Sequence, residues 1–328
     1  MGQALSTTDS TADAVYLDVT APMIQPRELA KRIPLLQKGG IDAVLTSAAA
    51  VEDFKTSMAV VGQWLEIDRT RRHGIRLARS VKDLRAAKAA GEVGVVLHFQ
   101  GADPIEDRLD FLDVFHASGL RVMQVTYNVR NRLGDGCFEP TDAGLSKFGR
   151  SVIRRMETLG IAVDLSHAGE RTALEAVEAA TRPVVVTHAN ARALFDMPRN
   201  VSDNLIRQVA GSGGVIGLCA VPFFLSRPKQ PTLETLIDHI AHVAGLVGVE
   251  HVGLGFDFAE EDEDDYIYFG YDSRYIPQPP WIWPTGIASH AEAGNVGPAL
   301  RSRGFSEAEV HGILGENFLR VFAGIWRS

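Results

Sequence analysis

The fold class this 328-residue sequence predicts is an α/β structure, a (β/α)8 TIM barrel, and three observations carry that prediction. Runs of Val, Ile and Leu recur as continuous apolar segments, the pattern of parallel strands buried on both faces. Amphipathic stretches of helical period stand between them, and several close on Gly, a common helix stop. Eight such pairs fit into about 250 residues, the usual size of a closed barrel. No repeat, linker or composition break divides the chain, so one domain over 1–328 is expected.

In chain order, the polar start 1–13 reads as a flexible N-terminal segment. Its M-G-x-x-x-S pattern fits myristoylation only loosely, and no polybasic stretch supplies a second anchoring signal. The strand candidates are 14–20 (AVYLDVT), 42–48 (DAVLTSA), 94–100 (GVVLHFQ) and 121–127 (RVMQVTY). They continue with 161–167 (IAVDLSH), 183–188 (PVVVTH), 214–221 (GVIGLCAV) and 251–258 (HVGLGFDF). Helical stretches between them include RELAKRIPLLQKGG, DRLDFLDVFHASG, LSKFGRSVIRRMETLG, ERTALEAVEAA and LETLIDHIAHVAGLVG. The tail 304–328 reads as C-terminal helices packed on the barrel.

Composition narrows the function classes. The chain is 45% hydrophobic and 23% charged with a net charge of −8, which offers no basic footprint for nucleic acid or an anionic membrane. No apolar run approaches the roughly 20 residues that span a bilayer. Two cysteines, Cys137 and Cys219, form no disulfide framework and suit a reducing compartment, with the cytoplasm as the default.

Barrel active sites form at the C-terminal ends of the strands. The polar residues there are Asp18, Thr20, His98, Gln100, Tyr127, Asn128, His167, His188 and Asp257. Two strands that each finish on His, at His167 and His188, can bring their imidazoles to one point, and neutral imidazole is a common zinc ligand. Ordinary hydrogen bonding at strand ends is the competing explanation. Asp164 and Ser166 suit the orientation of backbone or of the neighbouring His. GSGGVIG lacks the context of a nucleotide loop, and Ser166 lacks a nucleophile elbow.

The long stretch GLSKFGRSVIRRMETLGIAVDLSHAGERTALEAVEAATRPVVVTHANARAL resembles the membrane (renal) dipeptidase family, peptidase family M19 of the amidohydrolase superfamily. PRNVSDNLI, HVGLGFDF, NVGPALRSRGFSEAEV and GENFLRVF extend the resemblance over about residues 14–325. It implies a TIM barrel of the metal-dependent hydrolase type, two zinc ions, a small-molecule substrate and a homodimer. It also implies metal ligation by His167 and His188, a proton-handling role for Asp257 and substrate binding by Arg199. The other positions differ from the family pattern. Thr20 and Pro22 stand where His-x-Asp is expected, Gln100 replaces a bridging Glu, and Tyr127, a candidate for substrate binding together with Asn128, replaces a substrate-binding His.

Two adjacent cations need an anionic bridge, which neutral Gln100 cannot supply. The expectation is therefore a dipeptidase-like amidohydrolase holding at most one divalent metal, zinc by preference, between His167 and His188. The alternative is a catalytically silent barrel that binds a small ligand without metal. His98, two residues before Gln100 on the same strand face, is either an extra ligand or a buried structural histidine. The stretch AEEDEDDYIYFGYDSRYIPQPPWIW, six carboxylates ahead of an aromatic cluster, reads either as a solvated lid or as a selector of cationic substrates.

Overall fold

The computed structural model describes residues 14–227, 229–260 and 263–326. The segment 1–13 and the side chains of 261–265 lie outside the described residues, so the flexible start and most of the acidic run do too. The described strands are β1 (Leu17–Asp18), β2 (Ala43–Ala49), β3 (Ile75–Leu77), β4 (Val93–Phe99), β5 (Leu120–Gln124), β6 (Ala162–Asp164), β7 (Val186–Ala189), β8 (Ile216–Leu218) and β9 (Val252–Leu254). All pairings between them are parallel, in two runs, β1-β2-β4-β5-β6 and β7-β8-β9.

Backbone bonds close both seams. Asp164 bridges Val185 in parallel, and Leu165 N donates to Val185 O at 2.8 Å. On the other side Val19 N donates to Leu254 O at 3.1 Å and Asp257 N to Thr20 O at 3.0 Å. The result is a (β/α)8 barrel in which each of the eight strands expected from the sequence has a counterpart. β3 was not expected. It pairs with the first half of β4, from Ile75↔Val93 to Leu77↔Val95, beside the place where β5 takes over at Leu97. Three residues are too few to show a period.

The helices begin where short polar side chains accept a backbone N–H of the first turn. Asp53, Ser80, Ser146 and Ser202 do so for helices Phe54–Thr70, Val81–Ala89, Lys147–Leu159 and Asp203–Gly211. Their apolar faces cover the outside of the barrel. Inside, Leu17, Val19, Leu45, Val96, Val122 and Val185 form a separate core with Phe318 and Phe322 of the helix Asn317–Ile325. That helix plugs the end of the barrel away from the polar strand ends, and Trp326 Nε1 fastens it to Arg121 O at 3.1 Å. Gly253 makes room for the plug, since a Cβ there would lie 2.4 Å from the Phe318 ring. Burying one such side chain contributes about 1.5–3 kcal/mol. With that end filled, the C-terminal ends of the strands open onto a cavity.

Candidate metal centre

At that open end lies a cavity of about 700 Å³. Of the residues singled out from the sequence, Pro22, Gln100, Tyr127, His167 and Asp257 line it. Thr20, His98, Asn128, His188 and Arg199 lie behind this wall, all buried. Three of the site residues, Asn128, His167 and Asp257, follow strands with φ of 56°, 61° and 58°. Left-handed backbone is uncommon outside glycine, and its clustering here points to positions held by function.

His167 and His188 meet. Their Nε2 atoms are 2.9 Å apart, with the rings at 62° to one another. His167 stacks on the Tyr127 ring at 4.1 Å and contacts Asn128 Oδ1 through Nδ1 at 2.8 Å. Asn128 Nδ2 donates to Phe269 O at 2.8 Å, which orients the amide oxygen toward His167. His188 Nδ1 lies 2.8 Å from Thr187 Oγ1 and 3.1 Å from Thr20 Oγ1. Burial, reinforced by the Arg199 charge, pushes both imidazoles well below their usual pKa, so they are neutral bases.

Asp164 anchors the layer beneath. Its carboxylate accepts from Ser166 N and Thr187 N, both at 3.0 Å, from Ser166 Oγ at 2.8 Å and from Thr187 Oγ1 at 2.5 Å. Burial alone would raise its pKa, but the His98 hydrogen bond and charge, with His188 and Thr187, hold it well below the carboxylate range. His98 Nε2 is the partner, 3.1 Å from Asp164 Oδ2. Of the two readings of His98, this contact favours the buried structural histidine. It is fully buried, committed to Asp164 and absent from the cavity wall.

The remaining positions are placed as follows. Asp257 Oδ2 lies 3.8 Å from His188 Nε2. Among the described residues no group of three or more His, Cys, Asp or Glu side chains could hold one ion. Gln100 bonds to Ser47 Oγ, and Thr20 Oγ1 donates to Val19 O at 2.7 Å. Arg199 does not reach the cavity. Its Nη2 donates to His188 O at 2.6 Å and its guanidinium lies 5.2 Å from the Phe224 ring centre. Asn128 is likewise buried between His167 and Phe269 rather than presented to a substrate. Thr187, which closes its strand beside His188, bonds to both Asp164 and His188, although the strand ends by themselves gave it no role. That Thr-His pair was the signal.

A closed parallel barrel with two histidines converging at its open end defines the class: a hydrolase of the amidohydrolase type. Residues 6–265 match the membrane dipeptidase family (peptidase family M19), and the chain belongs to that family. An amidohydrolase of known structure from Pseudomonas aeruginosa is 30% identical, superposes with a TM-score of 0.87, and the match covers 98% of this chain and 99% of that one. An uncharacterized protein from the pqqA 5' region of Klebsiella pneumoniae is 28% identical over 270 residues, covering 77% of this chain and 90% of its own. The dipeptidase tcpJ of Claviceps purpurea is 28% identical over 250 residues, which is 75% of this chain but 54% of that protein, about half its length. The family is described as one of dipeptidases, and the solved dipeptidase AC, 22% identical, is titled a metallopeptidase of the same family. Among the described residues no helix is long and apolar enough to cross a membrane.

Proposed function

We propose that this protein is a dipeptidase-like amidohydrolase with an altered site, acting on a small amide and holding one divalent cation, zinc by preference, at His167 and His188. The observation that carries this reading is the pair of buried neutral imidazoles whose Nε2 atoms face each other at 2.9 Å. Two imidazole ligands about 2.0–2.1 Å from one ion take that spacing when they subtend close to a right angle. The pair therefore supplies two ligands of one ion, with water completing its sphere. A second ion has no comparable support, because Thr20, Pro22 and Gln100 bring no charge and no nitrogen or carboxylate ligand.

When bound, the cation supplies Lewis-acid polarisation of the scissile carbonyl. Asp257, on the cavity wall, takes the proton of the attacking water and returns it to the departing amine. Arg199, its guanidinium 5.2 Å from the cavity-lining Phe224 ring, contributes positive charge and is the proposed partner of a substrate carboxylate. Ordinary dipeptide turnover should be weak. Metal analysis of protein purified without chelator tests the reading: close to one equivalent is expected, and two would sink it.

A metal-free ligand-binding barrel is the second reading. It is favoured by the uncharged residues at Thr20, Pro22 and Gln100, and no cation uptake with no turnover in an amide screen would establish it. A preference for a compact cationic substrate is part of the first reading. Phe269, Tyr271 and Trp281 all line the cavity and can face an ammonium group, whereas one face of Tyr127 is taken by His167. Thermal-shift comparison of matched cationic and neutral amino-acid analogues tests this. Equal shifts would remove it. We also infer a single domain, a homodimer and a cytoplasmic location. Free Cys137 and Cys219 support the last, and exposed Ile267, Tyr268 and Ile282 support a covered face. Light scattering on the purified protein tests the dimer.

A further inference from the structure

We propose that Thr187, charged with direction by Asp164, and Asn128, held by Phe269 O, are positioning residues that turn both Nε2 lone pairs into the same gap. The inference rests on the one-cation reading above and assigns it two residues that do not themselves touch the ion.

The argument follows the protons. A carboxylate only accepts hydrogen bonds, so the Thr187 hydroxyl proton points at Asp164 Oδ2, 2.5 Å away. The Thr20 hydroxyl proton is directed at Val19 O at 2.7 Å. Both hydroxyls thus turn lone pairs toward His188 Nδ1, which lies 2.8 Å from Thr187 Oγ1 and 3.1 Å from Thr20 Oγ1. His188 Nδ1 must then donate, and in a neutral ring the lone pair falls on Nε2. Asp164 is in turn held by two backbone N–H groups and the Ser166 hydroxyl, so the direction of the chain is fixed from below.

His167 reaches the same state from the other side. Asn128 Nδ2 donates to Phe269 O, which leaves Oδ1 to accept from His167 Nδ1 at 2.8 Å. The lone pair again falls on Nε2. Two acceptors facing each other at 2.9 Å repel unless something positive lies between them. These unconnected networks, one from β6 and β7 and one from the aromatic segment after β9, therefore specify the same electron-rich gap. Outer partners of ligating histidines act this way, and their loss typically lowers metal affinity about 10–100-fold.

The test is Co2+ affinity of the full-length protein, read from its visible absorption and by chelator competition, beside a circular-dichroism melt of each variant. Thr187→Val keeps the shape of the side chain and removes the acceptor, and a 10–100-fold loss is expected. Thr187→Ser restores the hydroxyl and should bind within about threefold of the parent. Asn128→Gly tolerates the left-handed backbone but lacks the acceptor and should also lose affinity. Asn128→Asp keeps an acceptor oxygen and should retain it. A folded Thr187→Val protein that binds Co2+ as tightly as the parent overturns this inference alone. A parent protein that binds no Co2+ removes the one-cation reading and this inference with it. If Thr187→Val does not fold, the Asn128→Gly and Asn128→Asp pair decides, equal affinities counting against the inference.

Discussion

Two sides of the same cavity end in polar side chains, and they are built on different terms. On the β6–β7 side, Asp164, Ser166, Thr187 and His188 form one charged network in which each hydroxyl has a direction. On the β1–β4 side, among the charged groups of the loop and helix after β1, the residues nearest the strand ends are neutral amides. Gln100 bonds to Ser47, Gln124 Nε2 donates to Gln100 O at 2.5 Å, and Gln25 Nε2 donates to Pro22 O at 2.8 Å and Ser47 O at 2.7 Å. The one strand-end carboxylate of β1, Asp18, accepts from Thr20 N and Phe256 N and pairs with His290 at 2.9 Å. Its lone pairs are spent inside the barrel wall. A buried base with an organised partner can hold a cation, whereas amides bonded to one another form a polar wall without net charge. One barrel end thus sets a buried histidine pair opposite a wall of neutral amides.

Four experiments can break or sharpen that contrast. The largest effect is expected from Asp257→Asn, which leaves the shape of the site but removes the proton acceptor. The kcat for any amide substrate should fall by about 10²–10⁴-fold while cation binding changes little. An unchanged kcat would remove Asp257 from the chemistry. Next, His188→Ala should weaken Zn2+ binding by more than about 100-fold, beyond the loss typical of an outer partner, whereas Gln100→Ala should leave it within about threefold. Similar losses in calorimetric titrations of both variants would erase the distinction between the two sides.

A restoring triple variant, Thr20→His with Pro22→Asp and Gln100→Glu, should raise the bound metal from about one equivalent toward about two by elemental analysis. If it stays at one, geometry rather than residue type limits the β1–β4 side. The smallest effect concerns pH. Burial lowers the pKa of His167, His188 and His239, so the unfolded chain binds more protons than the native one below the ordinary histidine pKa. Stability from these three groups is present above about pH 6.5 and declines as pH falls below it. The metal-free protein should melt at a lower temperature at about pH 5.0 than at about pH 7.5, a difference that scanning calorimetry reads. A flat melting temperature over that range would mean that the imidazoles are not held neutral.

Much of the architecture was legible in the chain because its cause is local. Continuous runs such as 94–100 and 161–167 are apolar because both faces of a barrel strand are buried, and helices such as Lys147–Leu159 stop at a glycine, here Gly160 in left-handed backbone. Short β3 escaped because Ile75–Leu77 pairs along only part of β4, and no period can be read from three residues. The convergence of His167 and His188 was also foreseeable, since neighbouring parallel strands end at comparable depth. The sequence by itself therefore determined the barrel, the direction in which its site opens and which residue types stand at the strand ends. Tertiary structure alone decided what each side chain faces. It turned His98 onto Asp164, placed Arg199 beneath Phe224, and set Asn128 between His167 and the aromatic segment. The physical reason is that hydrogen-bond direction and burial depend on atoms brought together from distant parts of the chain. His98 and Asp164 stand 66 residues apart, and Asn128 and Phe269 stand 141 apart, separations over which no local pattern carries information.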